Sequence, residues 1–365
     1  MERGPLPYGA ALLSMVEKRG EFSESHAPAP RETLLKQRIG DLELKLKGTR
    51  LERIVERLYE ELQKAGLSAF RPPVYLSDEW GCPDRVPVVG VPFYLADANL
   101  LKLEDEVMEG IEAESDDQIM KYLRHEAGHA FNYAYRLFET PEWTAMFGPF
   151  SRPYTEEYTP SPFSRSFVRH LPAWYAQKHP DEDFAETFAV WLDPESKWQK
   201  VYAEWRCLPK LLYIDELSKR LGSQPPPVNG DNYDMQEDFL ASTVGEHYDR
   251  QKPGKIEIPP LFDSALRDIF PAASVTVEAP DGKKDAEESA AEFLKKHRRT
   301  IVSRVFYWTG LNDRMIRALA MHLEQRCEAL NLAVGKDRNE RLIEVIAFIT
   351  ALCMNRLHTG EFISR

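Results

Sequence analysis

Tyr122-Leu123-Arg124-His125-Glu126-Ala127-Gly128-His129-Ala130 sets two histidines four residues apart, with a glutamate directly after the first. The flanking pattern is helical. Ser115 and Asp116 are good N-caps, and Ile119, Leu123, Ala127, Ala130 and Ala134 recur at helical spacing, which predicts a helix over about 115–137. On such a helix His125 and His129 stand about 40° apart around the axis, so their imidazoles can converge on one cation. Glu126 lies about 100° from His125, where it reaches a metal-activated water without ligating the ion. HExxH also arises by chance in unrelated chains. Three local features favour a site here. The apolar stripe leaves the histidines largely on the opposite face, Ala127 and Gly128 leave room beside them, and a strand-like run at 86–95 precedes the helix.

Three protein ligands and an open fourth position define a catalytic zinc site. The third ligand is offered by His179-Pro-Asp-Glu182-Asp183-Phe-Ala-Glu186-Thr-Phe-Ala-Val-Trp-Leu192, where Glu182 falls 53 residues after His129. Glu182 and Glu186 share one helix face, while Phe184, Phe188, Trp191 and Leu192 form an apolar one. Glu182 is the expected ligand, with Asp183 and Glu186 as alternatives. Glu186 is placed to accept a ring N–H from a ligating histidine. Acids in a first helical turn also complement the helix dipole, which fits Asp181 and Asp183.

HEAGH followed by EDFAETFA resembles the gluzincin metallopeptidases. It is similar to the bacterial zinc-binding metallopeptidase family that carries HExxH and a downstream HPxEDFAET segment, and to the catalytic domain of anthrax lethal factor. The resemblance covers about residues 50–200 and is specific at the two metal segments. It implies one Zn2+ per chain and a zincin-like fold. It also implies a tyrosine seven residues before the ligating glutamate, here Tyr175, as donor to the oxyanion of the tetrahedral intermediate.

Elsewhere the pattern predicts an α+β protein. A small sheet would pack on the HExxH helix and on a second ligand-bearing helix, with helical additions at both ends. Leu51, Ile54, Val55, Leu58 and Leu62 mark a buried helix face within a helical stretch at 32–65. Residues 74–76 and 86–95 read as two strands, the second bent near Gly90 and Pro92. Residues 140–180 read as irregular, 197–221 as one helix, and 285–308, 312–331 and 338–357 as three more. The expected organisation is an N-terminal helical and linker segment (1–48), a metallopeptidase domain (49–221), an irregular connector (222–284) and a C-terminal helical bundle (285–365).

The net charge of −12 disfavours a nucleic-acid-binding surface. No apolar run approaches the ~18 residues of a membrane span, and the run at 10–16 is too short for a secretory signal. Cys82, Cys207, Cys327 and Cys353 form no CxxC pair, which favours a reducing compartment and a cytoplasmic protein. Lys295-Lys-His-Arg-Arg299 reads as a solvated helix face, Tyr307-Trp308 as a packed helix end, and His170 and His179 as flanking the tyrosine-rich loop. The expected function is a zinc-dependent metallopeptidase acting on a peptide or amide, including protein substrates. Its metal ligands are His125, His129 and Glu182, its general base is Glu126 and its oxyanion donor is Tyr175. The alternative is an inactive zincin-fold interaction module working through its C-terminal helices. Neither a membrane nor a nucleic-acid partner is expected, and the oligomeric state is left open.

Overall fold

The computed structural model describes residues 30–108, 115–155, 158–230, 233–234, 236–251, 262–273 and 288–362. These residues form an α+β protein, predominantly helical, with one two-stranded parallel sheet. The apolar run at 10–16, the rest of residues 1–29 and much of the connector lie outside the described residues. The chain divides into two compact units. One comprises Met1–Phe138, Trp191–Lys197 and Leu212–Tyr248, the other Glu139–Val190, Trp198–Leu211 and Asp249–Arg365.

In the first unit the Arg50–Lys64 helix buries Leu51, Ile54, Val55, Leu58 and Leu62, the face its spacing predicts. The stretch before it is not continuous helix. A short helix, Arg31–Lys36, is followed by a 3-10 turn, Ile39–Leu42, which ends where Glu43 turns left-handed at φ 48°. Strand β1 (Val74–Ser77) pairs in parallel with β2 (Val89–Pro92), with Val74 opposite Val89. The loop between them folds back so that Gly81 forms an antiparallel bridge with Gly90. A Cβ at Gly90 would sit 3.0 Å from both the Gly81 carbonyl oxygen and the Ser77 Cβ, so this close approach calls for glycine. The second strand is shorter than the predicted 86–95. It ends at Pro92, which has no N–H for the ladder, and continues as a 3-10 turn, Phe93–Ala96. The helix Asp116–Ala134 packs on β2 and on the Arg50–Lys64 helix.

In the second unit the residues around 140–180 are more ordered than their prolines suggest. Thr140 caps a helix at Pro141–Phe147, and a 3-10 segment spans Pro172–Gln177. Trp143 and Phe147 meet Phe184 at ring distances of 6.2 and 5.3 Å, anchoring the start of the helix Pro180–Leu192 in apolar surroundings. The predicted helix at 197–221 is two, Trp198–Val201 and Leu208–Leu221. Pro209 cannot sit in a helix interior but fits the first turn of a new one.

The three C-terminal helices, Ala290–Thr309, Asp313–Ala329 and Arg338–Thr359, bury Leu319, Leu323, Val345 and Ile349 as their patterns require. The basic run at 295–299 is not wholly a solvated face. Arg298 is buried and grips Glu324 with two prongs, Nε donating to Oε1 at 2.6 Å and Nη2 pairing with Oε2. Tyr307 and Trp308 correct the expectation of a packed end, being 40% and 49% exposed. Arg338–Thr359 is long and apolar enough to cross a membrane by length and composition alone, which revises the sequence expectation. In this structure its Val345, Ile349, Leu352 and Cys353 lie in the helical core.

Candidate metal centre

The histidine helix starts on a capping box. The Ser115 hydroxyl accepts from the Gln118 amide at 3.3 Å, and the Gln118 side chain accepts from the Ser115 amide at 3.0 Å. From Leu123 to Ala134 every residue is buried. The histidines therefore do not oppose a core face with a solvent face, as the apolar stripe suggested; both faces are covered. Arg124 fixes the helix to its neighbour through a buried two-pronged bond to Glu61, at 2.7 and 2.9 Å, with Asp193 3.5 Å away on a third side. His125 and His129 follow at 2% and 7% exposure, with Glu126 between them at 6%.

The Nε2 atoms of His125 and His129 lie 3.2 Å apart. A tetrahedral ion with bonds of about 2.0–2.1 Å requires its nitrogen ligands about 3.3–3.4 Å apart, so the pair needs only a small adjustment to grip one. Glu182 joins them: one ligand atom from each of His125, His129 and Glu182 falls within 4.8 Å of the others, and all three residues are buried. Two imidazole nitrogens and one carboxylate oxygen form a donor set that can hold a divalent transition ion and leave a coordination position open.

The acid helix is also buried from its first turn. Asp181, Glu182, Asp183 and Glu186 are between 0 and 6% exposed, so these acids do more than complement a solvent-facing helix end. His179 helps to start the helix. Its Nδ1 accepts from the Asp181 amide at 3.1 Å, and its Nε2 lies 2.8 Å from the Arg152 carbonyl oxygen, which fixes the Nε2-protonated tautomer. A buried carboxylate needs specific partners, and each of the three candidate ligands has a different one. Asp183 pairs with the Lys210 ammonium. Burial pushes the Asp183 carboxyl up to about 7 although Lys210 pulls the other way. Glu186 accepts from the backbone amides of Leu171 at 2.9 Å and His170 at 3.3 Å. Glu182 accepts from the Tyr154 hydroxyl at 2.6 Å.

Tyr175 lies in the 3-10 segment just ahead of this helix, and its hydroxyl is 3.4 Å from that of Tyr154. The Lys178 ammonium sits over both rings, 4.4 Å from the Tyr154 centroid and 5.3 Å from that of Tyr175. Immediately before Tyr175, Ala173 and Trp174 both adopt left-handed backbone, at φ 67° and 60°. Such non-glycine conformations cost about 1–3 kcal/mol each and persist only where the surroundings impose them. Here the Tyr158 hydroxyl donates to the Ala173 carbonyl at 2.6 Å, and the Arg169 guanidinium stacks 4.3 Å over the Trp174 ring.

Sequence spacing pointed to both histidines and to Glu182, with Asp183 and Glu186 as alternatives. It did not reveal Tyr154 as the partner of Glu182, nor Lys178. Tyr154 lies 28 residues upstream in an irregular stretch rich in tyrosine, where no periodicity singles out one ring. No protein-family model matches the chain, and neither a curated protein nor a solved structure matches it.

Proposed function

We propose that the protein is a zinc-dependent hydrolase of peptide or amide bonds, of gluzincin type, with the small sheet and the two ligand-bearing helices in a zincin-like arrangement. The observation that supports this reading is the buried group of His125, His129 and Glu182, with its imidazole nitrogens at near-tetrahedral spacing. These three residues would hold the ion. When bound, zinc polarises a carbonyl and lowers the pKa of water toward neutrality. Glu126 then acts as general base, taking a proton from the attacking water and delivering it to the leaving amine. The Tyr175 hydroxyl donates to the developing oxyanion. Tyr154 steadies the Glu182 carboxylate by donating to Oε1.

Metal analysis of the purified chain beside its variants tests the reading. About one zinc per chain is expected, lost in His125→Ala and His129→Ala. Glu126→Gln should keep the zinc and lose hydrolysis of a peptide library. A wild-type chain that binds no zinc, or a Glu126→Gln chain that cleaves as fast as wild type, overturns it.

A further inference from the structure

A cavity of about 280 Å³ opens on one face of the sheet in the first unit. Its walls are aromatic, with Tyr75 from β1, Trp80 from the following loop, and Tyr233, whose ring meets that of Tyr75 edge-on at 5.0 Å. Asp78, Glu79 and Asp234 add three carboxylates, and among the described residues no lysine, arginine or histidine lines the cavity. Aromatic faces attract cations through their quadrupoles, and carboxylates add the opposite charge. Together they select an alkylammonium or guanidinium group over a neutral or acidic one.

Two further features bear on what carries that group. Among the described residues β1 pairs with β2 alone, so its second edge can run alongside an extended backbone. Tyr75 and Ser77 alternate onto the cavity side of that strand while Leu76 faces the core. Trp80 also stacks on Tyr122, with rings 5.1 Å apart and 18° from parallel, and Tyr122 lies one turn before His125 on the histidine helix. We propose that this cavity receives the lysine or arginine side chain of an extended peptide segment. As a binding site it stands without the hydrolase reading; as a substrate-recognition site it rests on that reading.

Calorimetric titration of the full-length Glu126→Gln chain tests the proposal with three probes. These are an acetylated and amidated pentapeptide with a central lysine, the same peptide with norleucine, and free pentylamine. The lysine peptide should bind at least about tenfold more tightly than either of the other two. Asp78, Glu79 and Asp234 are exposed, so replacing them together with Asn, Gln and Asn leaves the core intact and should erase the preference over norleucine. Equal binding of lysine and norleucine peptides overturns the proposal. So does an undiminished preference in a triple variant with a native circular-dichroism spectrum, and so does pentylamine binding as tightly as the peptide. Zinc content is assayed separately. Loss of the metal reading therefore leaves this result untouched, and loss of the peptide preference leaves the metal reading untouched.

Discussion

The Tyr154 hydroxyl donates to Oε1 of Glu182 across 2.6 Å, linking an irregular loop to the acid that completes the candidate metal group. A donor on one carboxylate oxygen orients the other and holds the side chain in one rotamer. Partners of this kind typically change metal affinity by about 10–100-fold when removed. Tyr154→Phe should therefore weaken zinc binding by that factor in competition with a chromophoric chelator, while Tyr175→Phe should leave affinity within about threefold of wild type. Equal affinities for wild type and Tyr154→Phe would show that the contact does not position the ligand.

The three acids of the Pro180–Leu192 helix should separate by phenotype. Glu182→Gln is expected to abolish zinc binding with little loss of stability. Asp183→Asn removes the charged partner of Lys210, which keeps the Ser166 carbonyl at 3.0 Å, and should cost about 1–3 kcal/mol in urea unfolding while zinc is retained. Zinc loss in Asp183→Asn with retention in Glu182→Gln would reassign the ligand.

Arg124 and Glu61 are buried together, 4% and 8% exposed, between two helices of the first unit. Removing Glu61 leaves the buried Arg124 guanidinium with only the longer Asp193 contact at 3.5 Å, so Glu61→Ala should destabilise by at most about 3–5 kcal/mol. Arg124 directly precedes His125, and the loss should be accompanied by weaker metal retention. The double variant Glu61→Leu with Arg124→Met should recover much of the stability, because no buried charge then remains. A double variant as unstable as the single would argue that shape, not charge, sets the cost.

Burial raises the thiols of Cys327 and Cys353 to about 12 and that of Cys207 to about 11, from an ordinary value of 9.0. Between these values the folded chain keeps protons that the unfolded chain releases. Stability is thus fully present below pH 9 and is lost as the pH rises toward the folded-state values, by up to about 1.4 kcal/mol per pH unit for each thiol. Urea midpoints should hold below about pH 9 and fall between about pH 9 and pH 10.5. The fall should be shallower in Cys353→Ala, and an unchanged slope in that variant would remove Cys353 from the account.

Several elements were legible because their signals are local. The Arg50–Lys64 face follows from i, i+3 and i+4 spacing, the start of the histidine helix from its cap, and the short sheet from prolines and glycines bracketing two apolar runs. Other readings failed for want of context. The apolar stripe at 119–134 resembled a one-sided helix, yet every residue from Leu123 to Ala134 is buried, the histidine face included. Tyr307 and Trp308 carry a core composition, but burial depends on what tertiary neighbours cover, and they stand exposed. The run at 295–299 looked uniformly basic until Glu324, from the next helix, drew Arg298 inward.

By itself the sequence determined the helix that carries His125 and His129, the helix that carries Glu182, and the shared direction of the two imidazoles. A spacing of four on a helix fixes direction whatever the rest of the chain does. The tertiary structure groups Glu182, the expected one of three neighbouring carboxylates, with the histidines, and it alone shows which tyrosine donates to that carboxylate. Those contacts close loops of 28 and 53 residues, and their geometry depends on the packing of whole helices, for which no local pattern carries a code.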